Sequence, residues 1–272
     1  MNVRATSGWP SSFDALGLIT VRRHADYNYL MNTKLMTTPF RFKQFTVHHD
    51  RCAMKIGTDA ILLGAWAAAT EEPKRILDIG TGSGIIALML AQRFPAANVT
   101  AVEINSAACE QARGNFAAAP FCDRLTLKHC AVQDFRPQDP YDLVVCNPPW
   151  FQKSFKPPDA ARTMARHSDS LSLEELGTAA SRLLSPDGVL NVILPLEQAL
   201  TFTAIAIEND LHCQRMCEVR PTPTSMPKRR LLEFSSCAPK QDLCTQEIVV
   251  EVERHQYSDA YSKLAKEFLL KL

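Results

Sequence analysis

Asn147-Pro148-Pro149-Trp150 brings an amide oxygen, a proline carbonyl and a flat aromatic face together in one short stretch of backbone. That set suits chemistry at a planar amine. An aromatic exocyclic amine is a poor nucleophile because its lone pair is delocalised into the ring. Two acceptors facing its two hydrogens draw it toward tetrahedral geometry. They also stabilise the positive charge that develops when the nitrogen attacks, and only such late stabilisation speeds a reaction. No strong general base is required, since the alkylated amine is acidic enough to lose its proton afterwards. Asn147 and Pro148 are the candidate acceptors, and Trp150 is a stacking platform that Phe151 extends. Taken alone, the same residues also describe a Pro-Pro turn closing a strand, with Trp150 as a core anchor.

A second group lies upstream. Asp78-Ile79-Gly80-Thr81-Gly82-Ser83-Gly84 separates a short apolar run from a helical one, and Glu103 follows about twenty residues on, at the end of the next apolar run. Gly80 and Gly82 allow a sharp turn and a close approach of backbone to ligand, and Gly84 allows a helix to pack near a strand. Glu103 is placed to accept hydrogen bonds from ribose hydroxyls. A dinucleotide fingerprint would need a third glycine at position 85, where Ile85 stands, and Asp78 is ill-suited to a pyrophosphate. A cationic cofactor end suits Asp78 better, which points to S-adenosylmethionine. Gly57-Thr58-Asp59 has two readings: a helix start with Asp59 in its first turn, or a turn over the cofactor's methionine end. Asp134 is either an acceptor for an adenine amino group or a solvated turn residue.

The elements that must hold these residues follow from periodicity. Strands are expected at 75–79, 98–103, 124–129, 141–146, 189–194, 231–235 and 247–252, and helices at 60–68, 84–93, 106–117 and 173–184. Ser106 is the expected N-cap of the third helix. Ser185-Pro186-Asp187-Gly188 is the expected break between helix and strand, and Ser258 opens a terminal helix with Tyr261, Leu264, Ala265 and Phe268 on one face. Strands alternating with helices predict an α/β fold: a doubly wound, mostly parallel seven-stranded sheet with antiparallel late strands. Asn147 then falls at a strand's carboxyl end, beside the ligand crevice. Residues 1–38 show no sustained period and read as a weakly ordered extension or a misassigned start, and 39–272 as the single domain.

The 272 residues carry a net charge of +1, 46% hydrophobic and 22% charged side chains, a globular balance that excludes disorder as the main state. No apolar run is long enough to span a bilayer, and no secretory signal is visible. Nine cysteines without framework spacing point to reduced thiols and a cytoplasmic location. His212, Cys213 and Cys217 lack a second ligand pair, so buried thiols are preferred to a metal site. Segments 1–58, 151–166 and 221–230 carry +5, +3 and +3, leaving −10 on the rest. They form an anion-binding face if they converge, and three unrelated solvated loops if they do not.

The chain resembles a known family. The glycine loop with NPPW is similar to the amino-methylating branch of the class I S-adenosylmethionine-dependent methyltransferases. Phe40-Arg41-Phe42-Lys43-Gln44-Phe45, the run from His49 to Lys55, Gly57-Thr58-Asp59 and Leu62-Leu63-Gly64-Ala65-Trp66 resemble the front signature of the bacterial tRNA1(Val) adenine-N6-methyltransferases. Arg162, Ala165 and Arg166 match that family's basic stretch, Pro227, Arg229 and Leu231-Leu232 its late strand entry, and Tyr257-Ser258 with Tyr261 its terminal helix. The resemblance implies S-adenosylmethionine as donor, tRNA as partner, and N6-methyladenine at position 37, beside the anticodon, as product. No metal and no membrane are expected from the residues themselves, and an oligomer is not required. Substrate contacts are then expected from Arg41, Lys43, Phe151, Arg162, Arg166 and Arg229, and cofactor contacts from Gly57, Thr58, Asp59, Asp78, Gly80, Gly82, Gly84, Glu103, Asp134 and Asn147. Trp150 departs from the commoner Tyr or Phe, and Ala131 stands where relatives can carry Asp. The competing classes are a protein glutamine-N5-methyltransferase, another RNA or DNA adenine-N6-methyltransferase, and a non-catalytic RNA-binding module.

Overall fold

The computed structural model describes residues 38–52, 55–69, 71–149, 171–239 and 242–272. The expected extension, apart from Thr38, lies outside the described residues, as do Trp150, Phe151, Arg162 and Arg166. From Pro39 to Leu272 the described chain is one compact unit.

The chain enters through two short antiparallel strands, β1 (Phe40–Arg41) and β2 (Thr46–Val47), and a first helix, α1 (Thr58–Trp66). Strands and helices then alternate: β3 (Arg75–Ile79), α2 (Ile85–Arg93), β4 (Asn98–Glu103), α3 (Ser106–Ala117), β5 (Leu125–His129) and β6 (Tyr141–Cys146). The second half runs α4 (Leu173–Leu183), β7 (Leu184–Pro195), α5 (Leu196–Glu208), β8 (His212–Arg220), β9 (Arg229–Ser235) and β10 (Cys244–Val249). A small hairpin, β11 (Glu251–Glu253) and β12 (Gln256–Tyr257), leads into α6 (Asp259–Ala265).

The main sheet has the order β10-β8-β9-β7-β6-β3-β4-β5. Neighbours are parallel throughout except at β9, which runs antiparallel to β7 and β8. Seven of these strands, β10 at the edge included, are those that the periodicity predicts, and β8 is the eighth, inserted between β10 and β9. Alternate residues go to opposite faces, and both faces are apolar, as a sheet covered on two sides requires. Ile76, Leu143 and Val145 join one buried cluster with α1, α2, Phe116 and α6. Leu77, Ile79, Val144 and Cys146 join another with α4 and α5, where Phe202 meets Phe234 edge-on at 5.4 Å.

Several boundaries differ from the periodicity, each for a local reason. Asn105, not Ser106, caps α3, its side chain accepting from Ala108 N at 3.0 Å. Ser185-Pro186-Asp187-Gly188 is not a break but a bulge inside β7: the register with β6 jumps between Tyr141 and Leu143. Gly188 is needed there, because a Cβ would lie 2.6 Å from the Tyr141 carbonyl oxygen. The α5 helix and β8 are not among the expected elements; α5 buries Ala199, Phe202, Ile205 and Ala206 at helical spacing, whereas β8 buries only Cys217 and Val219. Ser258 does cap the last helix, accepting from Tyr261 N at 3.0 Å, and Tyr261, Ala265 and Phe268 are buried. Ser172 and Glu175 form a reciprocal capping box on α4.

Gly84 has φ +85 and a Cβ there would sit 2.4 Å from Phe116 Cε1, so both conformation and space demand glycine. Gly84→Ala should lower unfolding stability by roughly 1–3 kcal/mol. A urea titration that shows no shift of midpoint would contradict this account of the α2–α3 approach.

Candidate functional site

In β3 and β6 the last residues, Ile79 and Cys146, are register partners. Gly80 and Asn147 therefore leave the sheet side by side, where strand order reverses and the crevice opens. A cavity of about 290 Å³ occupies this place. Its lining includes Gly80, Gly82, Glu103, Ile104, Val132 and Asn147, with Pro148 and Pro149 beside the last.

The loop is held from behind by backbone bonds. Gly80 N and Thr81 N donate to Val102 O at 2.8 and 3.2 Å. Gly82 N donates to Glu103 Oε2 at 2.9 Å, and Asn105 N to Glu103 Oε1 at 2.8 Å. Both glycines have positive φ, and a Cβ on either would meet nothing within 4 Å, so the space over the loop is open to a ligand.

Asp78 lies beneath this loop and is fully buried, outside the cavity lining. Its Oδ2 accepts from Thr81 Oγ1 at 2.5 Å and from Ala87 N at 3.1 Å, while Oδ1 has no partner. Burial pushes its carboxyl from the ordinary 3.8 up to about 7; the Thr81 and Ala87 bonds pull it down, and the charge on Glu103 pushes it up further. Asp78 is thus a latch between loop and helix before it is anything else.

Asn147 Oδ1 is buried and accepts no hydrogen bond. A buried acceptor left unmade costs about 1–3 kcal/mol. An acceptor of this kind in a cavity wall is a place for a ligand donor, and Pro148, whose carbonyl can be the second acceptor, is its neighbour in the same wall.

Other expected site residues are placed elsewhere. Gly57, Thr58 and Asp59 do not line the cavity: Gly57 is the N-cap of α1, and Asp59 Oδ2 takes Arg229 Nε at 2.8 Å. Gly84 faces Phe116, not the cavity. Asp134 is exposed in a turn that its own N–H closes onto Ala131 O at 3.1 Å, and the lining ends at Gln133. Arg41 is exposed on β1. Lys43 holds the C-terminal segment, its N–H donating to Phe268 O at 2.8 Å and its Nζ to Lys266 O at 2.5 Å.

The third basic segment is largely answered by acids. Arg229 pairs with Asp59 and Arg230 with Glu218, each at 2.8 Å, which leaves Lys228 exposed. The second lies outside the described residues, so a converged basic face rests here on Arg41, Arg51 and Lys55. Arg51 itself pairs with Glu110 at 3.1 Å.

Several lining residues escaped the sequence reading, Ile104 and Cys52 among them. Ile104 follows a buried strand, yet it is 48% exposed and lines the cavity. Cys52 carried no signal, being brought to Glu103 only by the fold. Its thiol is pushed up to about 11 by burial and by the charges of Glu103 and Asp50. All nine cysteines are free. Among the described residues, no group of three or more His, Cys, Asp or Glu can hold a metal ion, and no helix is long and apolar enough to cross a membrane.

Comparison with known proteins places these features. The family described as "Methyltransferase small domain" matches residues 53–198. A tRNA1(Val) (adenine(37)-N6)-methyltransferase from Parabacteroides distasonis is 46% identical over 235 residues, covering 86% of this chain and 98% of its own. The protein of the same name from Flavobacterium psychrophilum is 47% identical over 236 residues, covering 86% of this chain and 100% of its own. Among solved structures, a predicted O-methyltransferase from Agrobacterium tumefaciens superposes with a TM-score of 0.57 at 18% identity, over 77% of this chain and 96% of its own.

The raised Asp78 carboxyl has a measurable consequence. Its folded value lies above its unfolded one, so the native state binds the extra proton. Its stabilising contribution is complete below about pH 4 and is lost as pH rises toward 7. In ligand-free protein, Asp78→Asn should flatten that part of the stability–pH curve. Denaturation midpoints for the two proteins that fall in parallel between pH 4 and 7 would remove the assignment.

Proposed function

This chain belongs to the tRNA1(Val) (adenine(37)-N6)-methyltransferase family, and on that premise we propose that it methylates the exocyclic N6 of adenine 37 in tRNA1(Val) with S-adenosylmethionine as donor. The observation that carries the reading is the buried, unpartnered Asn147 Oδ1 in the cavity wall, one strand from the glycine loop.

The residues present fit such a donor. The open space over Gly80 and Gly82 admits close backbone contact, Glu103 faces the cavity as an acceptor for ribose hydroxyls, and Ile104 and Val132 offer apolar faces for an adenine ring. S-Adenosylmethionine, when bound, supplies a methyl group on a cationic sulfur. Asn147 Oδ1 and the Pro148 carbonyl take the two hydrogens of the target amine and orient its nitrogen toward that methyl. They stabilise the charge that grows on nitrogen during attack, and the surplus proton then leaves to solvent. Trp150 and Phe151 provide the stacking surface for the extruded base.

Asp78 acts in this reading through the loop it latches. Asp59 and Arg229 act by tying the start of α1 to the start of β9. Gly57, Thr58, Gly84 and Asp134 are not needed as direct cofactor contacts. Arg41, Lys43, Arg162 and Arg166 serve the RNA backbone, so binding should weaken steeply as salt rises. Residues 39–272 are the methyltransferase domain, with 1–38 an added segment. One chain supplies every residue named, so no oligomer and no metal are invoked. A reducing, cytoplasmic setting completes the proposal.

The direct test is transfer of labelled methyl from S-adenosylmethionine into tRNA from a strain lacking the gene, read by nucleoside mass spectrometry. N6-methyladenine at position 37 of tRNA1(Val) is expected; label in a protein glutamine with none in tRNA would replace the proposal by the amide-methylating alternative. Asn147→Ala should slow transfer by roughly 10²-fold or more with donor affinity nearly intact. Unchanged turnover would falsify the role given to Asn147.

A further inference from the structure

We propose that Asn115, assisted by Gln111, is a positioning residue that fastens the segment 48–52 to the glycine loop, so that donor binding and the placement of this segment are coupled. The inference rests on the reading of the cavity as the donor site.

Asn115 sits on α3 and is 2% exposed. Its amide is fully used: Oδ1 accepts from His48 N at 2.9 Å, and Nδ2 donates to His48 O and to Ser83 O, both at 2.8 Å. An amide offers two hydrogens and an acceptor in one rigid plane, so these bonds fix two separate backbone segments relative to each other. Ser83 lies between Gly82, whose N–H reaches Glu103, and Gly84, which caps α2. The side chain therefore touches the loop that floors the cavity and the strap that walls it.

Gln111 is one turn earlier on the same helix face. Its Oε1 accepts from Arg51 N at 2.7 Å. Both ends of the stretch from His48 to Arg51 are thus pinned to α3, and the next residue, Cys52, enters the cavity lining near Glu103. The ion pair between Arg51 and Glu110 is not the fastening: its partners are 59% and 62% exposed, and such pairs contribute little.

A ligand on Glu103 and Gly82 meets a loop whose next residue is already bonded through Asn115 to the strap. Ordering one side of the cavity orders the other, and the free energy of that ordering appears in donor affinity.

Calorimetry with S-adenosylhomocysteine, together with amide hydrogen exchange at His48 and Arg51, tests this. In wild-type protein the compound should slow exchange at both amides. Asn115→Ala should weaken its binding by about tenfold and abolish the slowing. Asn115→Asp keeps the volume and the acceptor for His48 N but turns an oxygen toward two carbonyls, so it should bind more weakly than the alanine variant. Wild-type affinity in the aspartate variant would assign Asn115 to space-filling and overturn the inference. If the variants do not fold, the wild-type exchange decides: amides of His48 and Arg51 that ignore the compound overturn it. Failure of wild-type protein to bind at all overturns the proposed function and this inference together, whereas binding that all variants retain overturns this inference alone.

Discussion

The register between β3 and β6 is the constraint on which the site depends. Ile79 and Cys146 end level with each other in adjacent parallel strands, so the glycine loop and the Asn-Pro-Pro turn begin at one height on one edge. A slip of one residue would send both strands' apolar side chains to the wrong faces, and both faces are buried, so the register is strongly held. Packing on the two sides of the sheet thereby sets the distance between the glycine loop and Asn147.

Two carboxylates at neighbouring strands show how small differences of position divide labour. Asp78 is one residue short of the end of β3 and sinks under the loop, where burial favours its neutral form. Glu103 is the last residue of β4 and faces the cavity, its oxygens already engaged by Gly82 N and Asn105 N. The first clamps the loop from below, and the second presents an acceptor from the side. A loop with positive φ at three glycines has little stiffness of its own, so this support is what gives it a fixed shape.

The distribution of charge is tempered by pairing. Arginines near the late strands meet Asp59, Glu218, Glu233 and Glu247 across short distances. Such partly exposed pairs add little stability, but they remove these arginines from the pool of free cations. In the proposed function, the attraction for RNA then falls on the basic residues of the front of the chain and on those following Trp150.

The alternation of apolar runs with turns was enough to determine the doubly wound sheet, because a strand buried on both faces and a glycine turn at its end leave a local mark. The same holds for Gly80, Gly82, Glu103 and Asn147, whose types and order already single them out and which the fold brings to one cavity. The bulge at Gly188 and the strand β8 left no such mark, since each exists only through a neighbour's contact. Tertiary structure alone decided that Asp59 and Arg229 answer each other, that Asp134 turns outward, that Cys52 lines the cavity, and that Asn115 joins Ser83 to His48. Those facts join residues many positions apart, and a carboxylate or an amide carries no sign in sequence of which distant group will reach it.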